Sequence, residues 1–246
     1  MKRTLLFFTF ILLNPFLFFS GIDAKLRVGV VFSGCGIQDG TEVSEAVLTM
    51  LYLEKANADV IYMAPDIKQA EVVNHLNPDQ KTSEDRNVLV ESARITRGQI
   101  KDIKQVKAQD IDALIIVGGL GSIKTLSNIM TKGVKGIVNS DLEKLIMEVY
   151  KFKKPIGSMC AASMITAKVL GKNKIKITIG TKNDYFGPMI TTFGAEHIEC
   201  TVDDIVVDNK NKIVTTPAFM LGPSTSDIAP GIEKFVNKLV QLAKKK

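Results

Sequence analysis

The feature that most constrains the fold of this chain is a lone cysteine, Cys160, between a short apolar run and the start of a helical pattern. Small residues, Ser158 and Ala162, stand two positions before and two positions after it. A strand that turns sharply into a helix requires small side chains at those positions and pushes the central side chain out at the strand's carboxyl end. The stretch therefore predicts a nucleophile elbow.

The helix after Cys160 bears on the chemistry of the sulfur. A helix N-terminus carries partial positive charge, which favours the reactive thiolate form of a cysteine placed there. A small buried cysteine at an ordinary strand–helix junction would give the same local pattern, because free cysteine is among the most buried residue types. The local sequence leaves both interpretations open.

From Lys25 onward, strand and helix patterns alternate. Residues 26–32 and 112–117 are nearly unbroken apolar runs, as expected of parallel strands covered on both faces, and residues 43–53 repeat apolar side chains at helical spacing. Two β-branched runs within 205–216 flank a turn-rich tetrapeptide and predict a late β-hairpin. The patterns predict an α/β protein, a three-layer α/β/α sandwich with a mostly parallel sheet.

Residues 67–97 are less regular. They predict a loop or hairpin insertion, then a helix around 86–92 and a short strand at 93–96. The chain is expected to close with an amphipathic helix over 228–243.

Length and composition fit one domain. A chain of 246 residues, 46% of them hydrophobic, can bury a single substantial core, so we predict one domain over residues 25–246. The net charge of +6 comes largely from lysine-rich turns and the closing lysines, without interleaved aromatics or Trp, so nucleic-acid binding is not expected. Asp203 and Asp204 have no His or Cys at ligand spacing, so no metal site is predicted.

Residues 1–24 predict a leader outside the fold. Lys2 and Arg3 precede an apolar stretch that is broken at Asn14 and Pro15, and small residues surround Ala24. This is typical of a cleaved signal peptide and is too short and interrupted for a comfortable bilayer span. We predict export to a periplasmic, secretory or organelle destination, with no stable membrane span after cleavage. The alternatives are a cytoplasmic protein or one anchored by an uncleaved leader.

The cysteine count does not fit easily with export. Three widely separated cysteines, Cys35, Cys160 and Cys200, cannot form a disulfide framework in a chain of this size, and an odd number indicates a free thiol.

Several segments together resemble one family: SGCG at 33–36, RNVLVESARITRG at 86–98, GAEH at 194–197 and NKIVTTPAFML at 211–221. They resemble the ElbB-type glyoxalases of the DJ-one/PfpI superfamily, also called class I glutamine amidotransferase-like proteins. The resemblance covers nearly the whole chain from Leu26 onward. It implies a flavodoxin-like sandwich, usually a homodimer, a link to isoprenoid biosynthesis, and a cofactor-free conversion of glyoxal to glycolate.

By this resemblance, Cys160 matches the elbow nucleophile and Glu45 the buried glutamate aimed at its sulfur. Gly119 and Ala161 match positions whose backbone N–H groups face the reacting oxygen, with Gly118 beside them. In the implied reaction, Cys160 attacks one carbonyl of a small dicarbonyl to form a hemithioacetal. Glu45 then moves a proton between the two carbons through an enediol, and water releases the hydroxy acid.

Other residues carry weaker predictions. Cys35 follows a strand in a glycine turn, where pockets of open α/β sheets lie, and could line the site. Many superfamily members place a histidine after the elbow cysteine. Here Ala161 stands there, so a catalytic histidine would have to be His75 or His197, and we keep His197, in the GAEH motif, as the candidate. Glu42 is the nearest rival to Glu45, and Ser163 stands where the family tends to carry proline, which affects the expected pocket shape.

Two other functions stay open. One is a redox-sensing or chaperone-like protein in which Cys160 is oxidised without turnover. The other is a degenerate amidotransferase-like scaffold that acts by binding partners. Hydrolase or amidase chemistry is less expected, because no histidine follows the cysteine to act as a strong general base.

Overall fold

The computed structural model describes residues 25–80, 82–181 and 186–244. The predicted leader at residues 1–24 lies outside the described residues. Among the helices within those ranges, none combines the length and the apolar character needed to cross a bilayer.

The strands, in chain order, are β1 Arg27–Val31, β2 Asp59–Ala64, β3 Lys101–Asp102, β4 Ala113–Ile116, β5 Ile156–Met159, β6 Lys176–Ile177, β7 Glu196–His197, β8 Val206–Asp208 and β9 Ile213–Thr216. Seven of them form the central sheet in the order β3-β2-β1-β4-β5-β9-β8, and β6 and β7 pair separately. All pairings in the central sheet are parallel except that of β8 with β9. The predicted late hairpin is thereby confirmed.

The helices are α1 Val43–Lys55, α2 Val88–Ile95, α3 Gly121–Lys124, α4 Ile129–Lys132, α5 Ser140–Lys151, α6 Ser163–Leu170, α7 Gly187–Thr192 and α8 Thr225–Lys244. Helix α8 packs on α1 and on strands β4, β5 and β9, while α5 and α6 pack on each other and on β5. The sheet therefore lies between two helical layers, which confirms the predicted three-layer α/β/α sandwich.

The central strands are buried because helices cover both faces of the sheet. Every residue of β4 and β5 is buried, as the apolar runs predict. Gly157 of β5 allows a close approach by α8, since a Cβ built there would lie 2.8 Å from Phe235 Cε2. Because β1, β4, β5 and β9 are adjacent and parallel, the segments that follow them meet at one edge of the sheet.

The strand predicted at 93–96 is wrong. Those residues form the end of α2 and its C-cap, Thr96, and the short strand β3 comes only at Lys101. The run has the β-branched Ile95 and Thr96, which favoured a strand. In the structure, Arg94 Nε instead bonds Glu91 Oε2 at 3.0 Å one helical turn back, a pairing that stabilises the helix.

Candidate active site

The elbow forms as predicted between β5 and α6. Cys160 has φ of 51°, in the left-handed region that a residue with a Cβ adopts only under constraint. A 3₁₀ turn over Cys160–Ala162 follows, and α6 begins at Ser163. The flanking Ser158 and Ala162 are fully buried, so only small side chains fit there. The cost of this backbone conformation, of order 1–3 kcal/mol, is what the packing around the elbow must offset.

A glycine turn after β4 lies opposite the cysteine. A Cβ built on Gly118 would overlap Glu45 Oε2 and lie 2.5 Å from Cys160 Cβ, so the carboxyl and the cysteine press on this residue from both sides. Gly119 has φ of 103°, and a Cβ there would overlap Gly40 O and Glu42 N. Both positions therefore require glycine, one for space and one for space and conformation.

Two backbone donors face the sulfur. The N–H groups of Gly119 and Ala161 interact with Cys160 and act to lower the pKa of its thiol. These are the two positions that the sequence predicted to face the reacting oxygen. Fixed N–H groups at this point can stabilise negative charge on the sulfur or on an oxygen that forms beside it.

Glu45 lies on the buried face of α1 and is fully enclosed. Its Oε1 accepts a hydrogen bond from Phe219 N at 3.3 Å. Its Oε2 has no hydrogen bond of regular geometry within the described residues, although the carboxyl interacts with the Cys160 thiol and with the Gly118 backbone. Because an N–H can only donate, Oε1 is the acceptor of the Phe219 bond, and Oε2, which has no regular partner among the described residues, is the oxygen left to carry a proton.

The protonation of Cys160 differs from the sequence-based prediction. Burial raises the pKa of Glu45 to about 8, and the Glu42 carboxylate adds to the rise. Burial also raises the pKa of Cys160 well above its usual value, and the Glu45 carboxyl adds to that rise against the two N–H donors. The prediction that the helix N-terminus favours a thiolate is wrong, because desolvation outweighs it. At neutral pH the resting pair is a thiol beside a protonated carboxyl.

Glu42, the sequence rival of Glu45, does not face the sulfur. It is the N-cap of α1, and its Oε2 accepts the Glu45 backbone N–H at 2.6 Å. Its own N–H donates to Gly118 O at 3.0 Å. Glu42 is thus bonded to the backbones of two site residues, and only Glu45 places a carboxyl at the cysteine.

Cys35 lies elsewhere on the same edge. It follows β1, its backbone forms an isolated β-bridge with Thr41, and the residue is half-buried. Burial raises the pKa of its thiol, Glu91 adds to the rise, and Arg94 opposes it. It is not among the groups that act on the pKa of Cys160. Its part in lining the site stays a prediction.

His197 sits in the two-stranded sheet. The residue is buried in β7, and its Nε2 accepts a hydrogen bond from Ile179 N at 3.2 Å. It is not among the groups that act on the pKa of Cys160 or of Glu45. A catalytic role for His197 stays a prediction, and the bond to Ile179 commits one ring nitrogen to the backbone.

Sequence reasoning missed the Phe219 N–H. It belongs to a 3₁₀ turn over Ala218–Met220, directly after β9, and Ala218 has φ of 47°. Because β9 lies beside β5, this turn reaches the same edge as the elbow. Pro217 after an apolar strand could have indicated a turn there, but a backbone donor has no sequence signature.

Access to the sulfur is restricted. Cys160 is 5% exposed. A cavity of about 630 Å³ opens elsewhere, among residues 72–86, and Cys160 and Glu45 do not line it. The site therefore suits a small reagent. Within the described residues, no Lys, Arg or His is among the groups with the largest effects on the pKa of Cys160 or Glu45, and there is no cluster of three or more His, Cys, Asp or Glu that could hold a metal.

A parallel α/β/α sandwich with a cysteine elbow, a facing buried glutamate and a glycine turn defines a protein of the class I glutamine amidotransferase-like fold. No family model matches the chain. The chain is 38% identical to "ES1 protein homolog, mitochondrial" of Rattus norvegicus over 90% of its length and 85% of that protein. It is 39% identical to the "Glutamine amidotransferase-like class 1 domain-containing protein 3, mitochondrial" of Homo sapiens, over 89% of its length and 84% of that protein. The chain belongs to this ES1 family.

A solved structure supports the assignment. The crystal structure of an isoprenoid biosynthesis protein with an amidotransferase-like domain from Ehrlichia chaffeensis superposes with a TM-score of 0.83 at 34% identity, covering 89% of this chain and 99% of that one. Drosophila melanogaster DJ-1beta, with a TM-score of 0.51 at 20% identity, and glyoxalase III from Candida albicans, with 0.57 at 15%, share the fold.

The prediction of an exported protein is wrong, because the rat, human and Danio rerio relatives are all named mitochondrial proteins. The physical reason is that a basic start followed by an apolar stretch is not specific to secretion. Residues 1–24 carry that pattern, and it does not identify the membrane to which a leader is directed.

Proposed function

We propose that this protein is a cofactor-independent, glyoxalase-type enzyme that converts glyoxal or a similar small dicarbonyl to a hydroxy acid. The observation that carries the proposal is a fully buried carboxyl, whose pKa burial raises, beside a thiol on which two backbone N–H groups act. An internal redox reaction between adjacent carbons needs a nucleophile, a stabiliser of negative oxygen and a group that moves one proton. Cys160 is the nucleophile, the N–H groups of Gly119 and Ala161 stabilise the oxygen, and Glu45 moves the proton.

In the first step the Cys160 sulfur bonds to one aldehyde carbon. The thiol proton passes through the Glu45 carboxyl to the former carbonyl oxygen, which the Gly119 and Ala161 N–H groups stabilise while it is negative. The product is a hemithioacetal. A pKa near 8 keeps both forms of Glu45 accessible around neutral pH.

In the second step the carboxylate form of Glu45 removes the hydrogen from the sulfur-bearing carbon and returns it to the neighbouring carbon. The hydroxyl proton of the first oxygen passes to the second oxygen through the enediol. The sulfur-bearing carbon is oxidised to a thioester and its neighbour is reduced to an alcohol. Water then cleaves the thioester, releases the hydroxy acid and restores the thiol. No external oxidant or reductant is consumed.

The surroundings favour a small, uncharged substrate. The thiol is 5% exposed, and in the part of the chain that the structure describes no cationic side chain is among the main groups that act on the pKa of Cys160 or Glu45. A carboxylate or phosphate substrate would lack a charged partner there. The absence of an imidazole acting on Cys160 likewise gives amidotransferase hydrolysis no general base in the described residues.

The names of the relatives support a mitochondrial location for this chain. Fractionation of cells with an antibody to the native protein tests it.

The test of activity is glycolate formation from glyoxal, followed by proton NMR, for the wild-type protein, Cys160→Ala and a matched thiol control, Cys200→Ala. We expect Cys160→Ala to reduce turnover to background and Cys200→Ala to retain it. Equal, background-level glycolate from all three would contradict the proposal. If mild peroxide then adds two oxygen atoms to Cys160 by mass spectrometry, the redox-sensing function replaces it.

A further inference from the structure

A carboxylate outside the Cys160–Glu45 pair is bonded to both halves of the site. Glu42 has φ of −69° and ψ of 120°, the extended geometry of an N-cap. Its side chain accepts the Glu45 N–H, and its main chain donates to Gly118 O, the carbonyl of the glycine turn. Glu42 is therefore hydrogen-bonded both to Glu45 and to the glycine turn beside the sulfur.

The same junction is packed without spare room. A Cβ on Gly119 would overlap Gly40 O and Glu42 N, and a Cβ on Gly121 would lie 2.5 Å from Gly40 Cα. Gly121 N also donates to Gly40 O at 3.0 Å. A displacement of Glu42 would therefore move the turn that carries the Gly119 donor.

We propose that Glu42 is a positioning residue that fastens the first turn of α1 to the glycine turn and so holds the Glu45 carboxyl against the Cys160 sulfur. It acts through Glu45 and Gly118. This inference rests on the proposed function only for its effect on turnover, since the position and titration of Glu45 can be measured without a substrate.

The negative charge of Glu42 has a second effect. It raises the pKa of Glu45 beyond the rise that burial alone causes. Among the described residues, the ionisable side chains with the largest effects on the pKa of Glu45 are Glu42, the N-cap of the same helix, and Cys160 on the elbow. Glu233, on α8 packed against α1, acts on Tyr52 at the other end of α1 instead. Glu42 therefore helps to keep the proton on Glu45 at neutral pH.

The experiment separates the charge of Glu42 from its hydrogen bonds. Glu42→Gln keeps a side-chain oxygen that can accept the Glu45 N–H but removes the charge, and Glu42→Ala removes both. Glu143→Gln is the matched control, because it removes one carboxylate from the exposed first turn of α5. The Glu45 carboxyl is titrated by infrared spectroscopy on carbon-13 glutamate-labelled protein, and its band is assigned by its loss in Glu45→Gln.

We expect Glu42→Gln to lower the titration midpoint of Glu45 from about 8 by roughly one pH unit, and Glu143→Gln to leave it unchanged. If the wild type turns over glyoxal, the rising limb of its pH–rate profile moves down with that midpoint. Glu42→Ala lowers the melting temperature as well and reduces kcat more than KM changes. Equal midpoints in Glu42→Gln and Glu143→Gln would overturn the charge role, and unchanged kcat and melting temperature in Glu42→Ala would overturn the positioning role. If the wild type shows no turnover but the Glu45 midpoint still shifts in Glu42→Gln, only the proposed function is contradicted.

Discussion

Two cysteines follow parallel strands at the same edge of this sheet, and their surroundings differ. Cys160, after β5, is buried. Two backbone N–H groups act on its sulfur, and it lies beside the buried Glu45 carboxyl, whose pKa is raised. Cys35, after β1, is half-buried, and the charged groups that act on it include both signs, Glu91 and Arg94 among them. Glu91 is itself paired with Arg94 at 3.0 Å.

The comparison shows that a place at the strand ends is not enough to make a thiol a nucleophile. The pKa of each thiol is raised, chiefly by burial. What distinguishes Cys160 is a pair of fixed donors and a proton that its neighbour can give or take. At Cys35 the neighbouring carboxylate is held by an arginine instead.

The largest effect is expected from glycine substitutions. In Gly118→Ala the new methyl group would overlap the Glu45 carboxyl and the Cys160 side chain, so we expect a loss of about a thousandfold in turnover. In Gly36→Ala, beside Cys35, the methyl would meet the His75 ring at 2.6 Å, and φ of 125° adds backbone strain. That variant loses about 1–3 kcal/mol of stability and retains turnover.

Glycolate assays and urea unfolding of both variants check this prediction. A Gly118→Ala protein that folds and turns over normally would mean that the carboxyl and the cysteine do not need their present contact.

A smaller effect is expected on the pH dependence of stability. The pKa of Glu45 rises from its ordinary 4.5 in the unfolded chain to about 8 in the folded protein. Its stabilisation is thus fully present below pH 4.5 and is lost as the pH rises through 8, because the folded state binds the proton more tightly. At about 1.4 kcal/mol per unit, the loss is several kcal/mol.

Urea unfolding of the wild type and of Glu45→Gln at pH 5 and pH 8.5 measures it. We expect the wild type to be less stable at the higher pH and Glu45→Gln to lose most of that difference. The same pH dependence in both proteins would place the buried proton on another group.

The smallest effect concerns labelling of the two thiols in the native protein. Cys35 is half-buried and Cys160 only 5% exposed, so N-ethylmaleimide should modify Cys35 roughly tenfold faster. Peptide mass mapping over time gives both rates in one sample, and a urea-unfolded sample gives the rates without structure. Faster labelling of Cys160 would mean that its thiol is accessible and ionised, as the sequence analysis predicted from its place at a helix N-terminus.

Much of the fold was predictable because its strands are fully covered. The apolar runs that became β1 and β4 indicate strands buried on both faces, and the small residues around Cys160 allow the sharp turn that the structure has there. The run at 93–96 misled, because its β-branched residues suit a strand while the Glu91–Arg94 pairing belongs to a helix.

The site was predictable in part. Cys160 follows from the elbow, and Glu45 was proposed only through family resemblance, since an acid in a first helical turn is otherwise ordinary. The Phe219 donor could not be found, because every residue but proline has an N–H and only the turn after β9 aims this one. The prediction of a thiolate at Cys160 was wrong, because the desolvation of the sulfur depends on packing that no local pattern encodes.

The bond from Phe219 to one oxygen of Glu45 has a consequence for stereochemistry. In the proposed reaction it leaves Oε2 as the oxygen that carries the proton, at one fixed position relative to a substrate attached to the sulfur. A proton delivered from one side reaches only one face of a planar enediol. A substrate with a methyl group on its second carbon would therefore give a single enantiomer of the hydroxy acid.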